Sequence, residues 1–309
     1  MILLPYIIFV VSLTVLLRAS DWFIDSAEQI GLSLGISPFI IGVTIVAFGT
    51  SLPELATSIQ AVLNNEPEIV MSAVVGSNIT NIALVLGLVA LIVNKIDLEY
   101  NIWHIDMPYL WGSAFLLYFM VRDLTIDYFE AVICIIGIIT FLAYSMKNNI
   151  PSTEERPKVG FRQYFFLVLG GVLVWLSSDY AIESIKEISA TAGIPSSIIS
   201  VSAVALGTSL PEIIVSLNAA RKGKASIAVG NVLGSNIFNT YVVVGIPSLL
   251  GPLTVPANVL SSFLPIMLVM TVLFGIMSNN KTITRWEGVV LVMFYLVFLA
   301  ELFSAPTTF

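Results

Sequence analysis

Two glutamates stand at matching places in this 309-residue chain, each closing the hexapeptide Gly-Thr-Ser-Leu-Pro-Glu, at Gly49–Glu54 and again at Gly207–Glu212. Thr50 and Ser51 lie four and three residues before Glu54, and Ala47 lies seven before it. On a helix these four share one face. Pro53 lacks the N–H that the Gly49 carbonyl would bond, and Gly49 loosens the turn further. Pro211 does the same to Gly207, beside Ala205, Thr208 and Ser209. Carbonyls freed near Ala47 and Gly49, flanking hydroxyls and the carboxylates are all hard oxygen donors. A second motif, Gly-Ser-Asn-Ile-x-Asn, spans Gly76–Asn81 and Gly234–Asn239. It sets Ser77 with Asn81, and Ser235 with Asn239, at the i, i+4 spacing of helical neighbours. No His or Cys joins either group. An oxygen-only set suits Ca2+, Na+ or Mg2+ rather than zinc or copper.

Charge strengthens that reading. No Lys or Arg occurs between residues 19 and 94 or between 187 and 220, so neither glutamate has an evident basic partner. A carboxylate at the centre of a bilayer costs about 2.5–3.5 kcal/mol on insertion scales. Two of them roughly 6 Å apart repel by about 3 kcal/mol at an effective dielectric near 20. A bound cation or a proton relieves both penalties. The plainer reading is that protonated glutamates steady two kinks while Ser, Thr and Asn glue helices together. Recurrence of the polar residues in step with each glutamate favours ion ligation. Asp21, Asp25, Asp179 and Glu183 read instead as solvated residues at span ends.

The elements that must position these residues are membrane spans. The chain is 57% hydrophobic and 11% charged, against about a quarter charged in a soluble domain. Runs long enough to cross a bilayer fall near 2–20, 38–62, 69–93, 107–121, 127–146, 161–180, 196–219, 226–250, 259–278 and 286–303. Ile2–Leu17 has no basic segment before it and reads as a retained span rather than a signal peptide. Cys134, the single cysteine, sits in an apolar run and reads as inert. A net charge of −7 gives no basic surface for nucleic acid.

With ten spans, eleven basic residues (Arg18, Lys95, Lys147, Arg156, Lys158, Arg162, Arg221, Lys222, Lys224, Lys281 and Arg285) share one side, and Arg122 and Lys186 the other. The first side is then cytoplasmic and both termini lie outside a plasma membrane. Shifting the chain by 158 residues matches eight of twelve residues around the first motif and five of six around the second. Repeat 1 covers 1–146, a polar linker 147–160, and repeat 2 covers 161–309. Five spans per repeat is odd, so the halves enter from opposite sides. The expected fold is an all-α polytopic membrane protein of ten transmembrane helices in two inverted-topology five-helix repeats, with broken helices at the midplane. That is the architecture of many secondary transporters, which open alternately to each side.

These repeats resemble the alpha repeats of the sodium/calcium exchanger family, within the cation/calcium antiporter group, over nearly the whole chain. The chain looks most like a compact prokaryotic or archaeal member, without a large central regulatory domain. The resemblance implies exchange of Na+ for Ca2+ at one site with several sodium positions around one calcium position. It implies calcium held by Glu54 and Glu212 with the carbonyls of Thr50 and Thr208. Sodium would use the carbonyls of Ala47 and Ala205 and the side chains of Ser51, Ser77, Ser209 and Ser235, with Asn81 and Asn239 central.

Ca2+ and Sr2+ are expected to bind and Na+ to compete, while Mg2+ sheds its water too reluctantly to bind well. No cofactor or obligate protein partner is implied. The alternative within carriers is a Ca2+/H+ antiporter, since empty paired glutamates take up protons. A passive channel is a further reading. An intramembrane hydrolase with Ser51 or Ser209 as nucleophile would need a base, and His104, the single histidine, falls in the loop between spans three and four.

Overall fold

A computed structural model of the chain describes residues 3–98, 102–103, 106–147, 156–191 and 209–304. In hydrocarbon a backbone must satisfy its own polar groups, so long apolar runs fold as helices. The first half carries α1 (Leu4–Ser33), α2 (Pro38–Leu63), α3 (Glu68–Val93), α4 (Asp106–Met120) and α5 (Tyr128–Lys147). The second carries α6 (Phe161–Thr191), α7 (Leu210–Arg221), α8 (Ala225–Leu250), α9 (Val259–Ser278) and α10 (Arg285–Ser304). Among the described residues, α1, α2, α3, α5, α6, α8 and α9 are long and apolar enough to cross a membrane. Exposed Phe129, Ile136, Val168, Met293 and Leu296 give the outer helices an apolar surface for lipid. The chain is a multi-pass membrane protein.

Two helices outrun their expected limits. α1 continues past residue 20 to Ser33 and α6 past 180 to Thr191. The acidic residues on the added turns of α1 find partners on the α7–α8 turn. Lys222 and Lys224 form ion pairs with Asp21, Asp25 and Glu28. Asp21 and Asp25 are therefore half-buried and paired, not merely solvated.

The break in α2 also falls elsewhere. The helix runs unbroken through Pro53, and its irregular turn is a π-helical stretch upstream at Gly42–Val46. Further π stretches occupy Thr80–Leu86 in α3 and Asn239–Val243 in α8, equivalent places in the two halves. A widened turn of this kind re-aims side chains and is frequent at functional sites.

The helix α8 lies at the centre. Every residue of its 18-residue apolar window is buried, against 33% on α1 and 28% on α5 and α6. α2 crosses α8 at backbone contact, since a methyl added at Gly42 would overlap the Ile227 carbonyl and one at Gly234 the Val43 carbonyl. This close crossing draws the first motif of one half against the second motif of the other.

Among the described residues are four short strands: β1 (Lys95–Asp97), β2 (Thr125–Ile126), β3 (Leu253–Thr254) and β4 (Thr282–Thr284). β1 pairs antiparallel with β4, placing Ile96 opposite Ile283, and β2 pairs with β3, placing Thr125 opposite Thr254. The 158-residue shift carries Ile96 onto Thr254 and Thr125 onto Ile283, so it maps one ladder onto the other with its register kept.

Candidate ion-binding site

Glu54 lies on the buried face of α2, only 3% exposed, with Thr50, Ser51 and Ala47 on the same face and also buried. Neither oxygen of its carboxylate makes a hydrogen bond. Its neighbours are Ser77 on α3 and the carboxylate of Glu212. Glu212 occupies the first turn of α7 and is fully buried. There the partial positive charge of a helix N-terminus favours an anion. Its Oε1 accepts a hydrogen bond from Ser51 Oγ at 3.1 Å, while Oε2 has no partner. Among the described residues no Lys, Arg or His pairs with either glutamate. The two carboxylates thus face each other across the halves, buried, with three of four oxygens unsatisfied.

Hydroxyls and amides close around them. Ser77 Oγ and Ser209 Oγ lie 2.7 Å apart, joining α3 to the start of α7. Thr50 Oγ1 lies 3.5 Å from Ser235 Oγ and donates to Asn231 Oδ1 at 3.1 Å, while Asn231 Nδ2 donates to Ser216 Oγ at 2.9 Å. Asn239 Nδ2 donates to Asn78 Oδ1 at 3.3 Å, and Asn78 Nδ2 donates to Thr240 Oγ1 at 3.2 Å. The Asn239 Oδ1 and both amide atoms of Asn81 are buried without a partner. Buried polar atoms are nearly always satisfied. Five of the six unpartnered atoms in this cluster are acceptors, so it is short of donors.

Of the expected ligands, Glu54, Glu212, Thr50, Ser51, Ser77, Ser209 and Ser235 come together in this network. Asn239 bonds Asn78, and no hydrogen bond ties Asn81 to the carboxylates. Ala47 presents its carbonyl to Thr50 Oγ1 at 3.3 Å. Ala205 and Thr208 lie outside the described residues, as does His104.

The chain matches the family model described as sodium/calcium exchanger protein over residues 4–147 and 162–303. The chain belongs to the sodium/calcium exchanger family. Sodium/calcium exchanger MaX1 of Methanosarcina acetivorans is 34% identical over 349 residues, covering 98% of this chain and 99% of its own length. CaxA of Alkalimonas amylolytica, a putative antiporter by description, is 32% identical over 98% of this chain and its own full length. Structures of the sodium-calcium exchanger NCX_Mj superpose with a TM-score of 0.86 at 30% identity, over 97% of this chain and 99% of theirs. One of them was soaked with Na+ and Sr2+. The family is one of membrane transporters for Na+ and Ca2+, not of enzymes.

Within this site the motifs left two asparagines unassigned. Asn78 sits inside Gly-Ser-Asn-Ile-Thr-Asn and recurs as Asn236, so its signal was in the repeat itself. Asn231 has no such signal, because the 158-residue shift sets it over Ala73. Its role emerges only from the crossing of α2 and α8, which brings Thr50 to it.

Proposed function

We propose that this chain is a secondary antiporter that exchanges Na+ for Ca2+ by alternating access through one all-oxygen site. The observation that carries the reading is the pair of facing buried carboxylates with three of four oxygens unsatisfied and no basic partner among the described residues. Each unsatisfied buried acceptor costs about 1–3 kcal/mol or more, a penalty that a hard cation removes. Ca2+ takes six to eight oxygens with tolerant geometry. Glu54 and Glu212 with the carbonyls of Thr50 and Thr208 supply its charged and neutral ligands. Na+ uses the carbonyls of Ala47 and Ala205 and the hydroxyls of Ser51, Ser77, Ser209 and Ser235. Asn81 and Asn239 occupy the centre. Sr2+ substitutes for Ca2+.

The two strand ladders, equivalent under the repeat shift, support a pseudo-twofold arrangement of ten transmembrane helices as inverted five-helix repeats. Repeat 1 is 1–146 and repeat 2 is 161–309, joined by the linker 147–160. The basic-rich side faces the cytoplasm and both termini face outward from the plasma membrane. Two carboxylates neutralise one Ca2+, and a competing load of Na+ is stabilised by neutral oxygens.

The test is Ca2+ uptake into proteoliposomes driven by an outward Na+ gradient at fixed pH. Uptake that follows the Na+ gradient supports the exchanger. Uptake indifferent to Na+ and driven by a proton gradient favours the Ca2+/H+ reading, which the facing carboxylates also serve. Ca2+ flux that a counter-ion on the far side fails to accelerate would indicate a channel.

A further inference from the structure

α1 and α6 pack along each other, closest where Gly170 meets the backbone of Ala19 and Phe23. Beside α2 the pair borders an open apolar cavity of about 720 Å3, lined by Phe23, Phe48, Leu52, Val168 and Trp175 among others, while Phe23 itself packs against Gly49 of the helix that carries Glu54. A polar clasp fastens the far half of α1 to the α7–α8 turn. Lys222 Nζ lies 2.9 Å from Asp21 Oδ1 and 2.8 Å from Asp25 Oδ2. Lys224 Nζ lies 2.6 Å from Asp25 Oδ1 and 2.8 Å from Glu28 Oε2. Asn218 Nδ2 adds a hydrogen bond to Asp21 Oδ1 at 3.1 Å. Burial works against the charge on Lys224, yet Asp25 and Glu28 outweigh it and raise its pKa above the ordinary lysine value.

The other half repeats the turn without the clasp. Glu66 N bonds Ala61 O at 2.9 Å as Lys224 N bonds Ala219 O at 2.9 Å, and Asn65 and Gly223 share positive φ angles of 63° and 78°. The backbone is the same; the charges are not. Where the α7–α8 turn has Lys222 and Lys224, the α2–α3 turn has Asn64 and Glu66. Where α1 offers Asp21, Asp25 and Glu28, α6 offers Asp179, Glu183 and Lys186. Lys186 pairs with Glu183 on its own helix at 3.3 Å. Among the described residues no ion pair joins α6 to the α2–α3 turn.

We propose that Lys222 and Lys224 are positioning residues for α1, holding the α1/α6 pair against the α7–α8 turn and weighting the transport cycle toward the state closed on that side. The proposal rests on the exchanger reading. Two equivalent halves would make the two access states nearly equal in energy. Four ion pairs on one side break that balance, since the other side can offer one complementary pair, Glu66 with Lys186. Each pair is partly exposed and shifts an equilibrium by a factor of roughly two to five. Together they bias the states by about tenfold or more.

The experiment compares the wild-type chain with K222Q/K224Q and K222R/K224R in vesicles of both orientations. The ratio of half-saturating Ca2+ at the two faces reports which face the site prefers. The glutamine variant should shift that ratio about tenfold toward the face of the α7–α8 turn, and the arginine variant should keep the wild-type value. Hydrogen exchange over residues 21–33 reads the clasp without transport, and protection should fall in the glutamine variant alone. An unchanged ratio, unchanged protection, or an equal shift in the arginine variant would overturn the proposal. Protection that falls in the glutamine variant, in a protein whose wild type shows no Na+-driven uptake, would overturn the exchanger reading and leave the clasp standing.

Discussion

Replacing Glu54 by glutamine removes one negative charge and little else, and the structure makes its two consequences opposite in sign. In the ion-free protein the change is favourable. Glu54 is 3% exposed and neither oxygen is hydrogen-bonded, and a carboxylate so placed at bilayer depth costs about 2.5–3.5 kcal/mol. The new amide N–H also finds an acceptor nearby, because Glu212 Oε2 is unpartnered. The thermal midpoint without Ca2+ should hold or rise. With Ca2+ the sign reverses. Removing one member of a buried charge pair costs about 3–5 kcal/mol, which at about 1.4 kcal/mol per decade weakens the Kd by roughly two to more than three decades. E212Q should lose affinity similarly but gain less stability, since Glu212 already holds the Ser51 hydroxyl and sits at a helix N-terminus. Calorimetric Ca2+ titration with thermal unfolding, each with and without the ion, separates the two effects. A Kd within about threefold of wild type in both variants would refute the reasoning, as would failure of the ion-free E54Q protein to fold.

Asn231→Ala should cost about 1–2 kcal/mol by stripping partners from Thr50 and Ser216. Calcium affinity should fall with it, read in the same titrations, because the Thr50 turn loses its brace to α8. Asn239→Asp adds a third acidic group at the centre. Its half-saturating Ca2+ should rise more steeply on acidification than in wild type, because the added carboxyl must be ionised to ligate. In a Cys134→Ala background, single cysteines at Leu3 and Lys147 should label with an impermeant maleimide from opposite membrane faces; labelling from one face would refute the five-helix inverted repeat.

The chemistry was legible where it repeats. The Gly-Thr-Ser-Leu-Pro-Glu and Gly-Ser-Asn-Ile-x-Asn pairs singled out Glu54, Glu212 and most of the hydroxyls around them, because apolar residues match by chance and these strings do not. The widened turns were not legible. Proline chemistry pointed to Gly49, yet the π stretch forms at Gly42–Val46, where α2 is drawn into backbone contact with α8. That contact is tertiary and leaves no local pattern. The far halves of α1 and α6 were likewise left outside the expected spans, which stopped near 20 and 180. The partners of Asp21, Asp25 and Glu28 are a pair of lysines some two hundred residues away in sequence. The strands, at two or three residues each, are too short for an alternating pattern to register.

Those strands bear on how the molecule is assembled. Each ladder is built from one strand of each half, so neither half can complete its own edges. During synthesis β1 emerges early and waits, unpaired, until β4 near the end of the chain has been made. β2 waits for β3 in the same way. Closure of the two ladders therefore comes late and reports that both halves have been inserted in the correct orientation. A chain truncated before β4 would leave β1 with an open edge, a template for pairing with another chain.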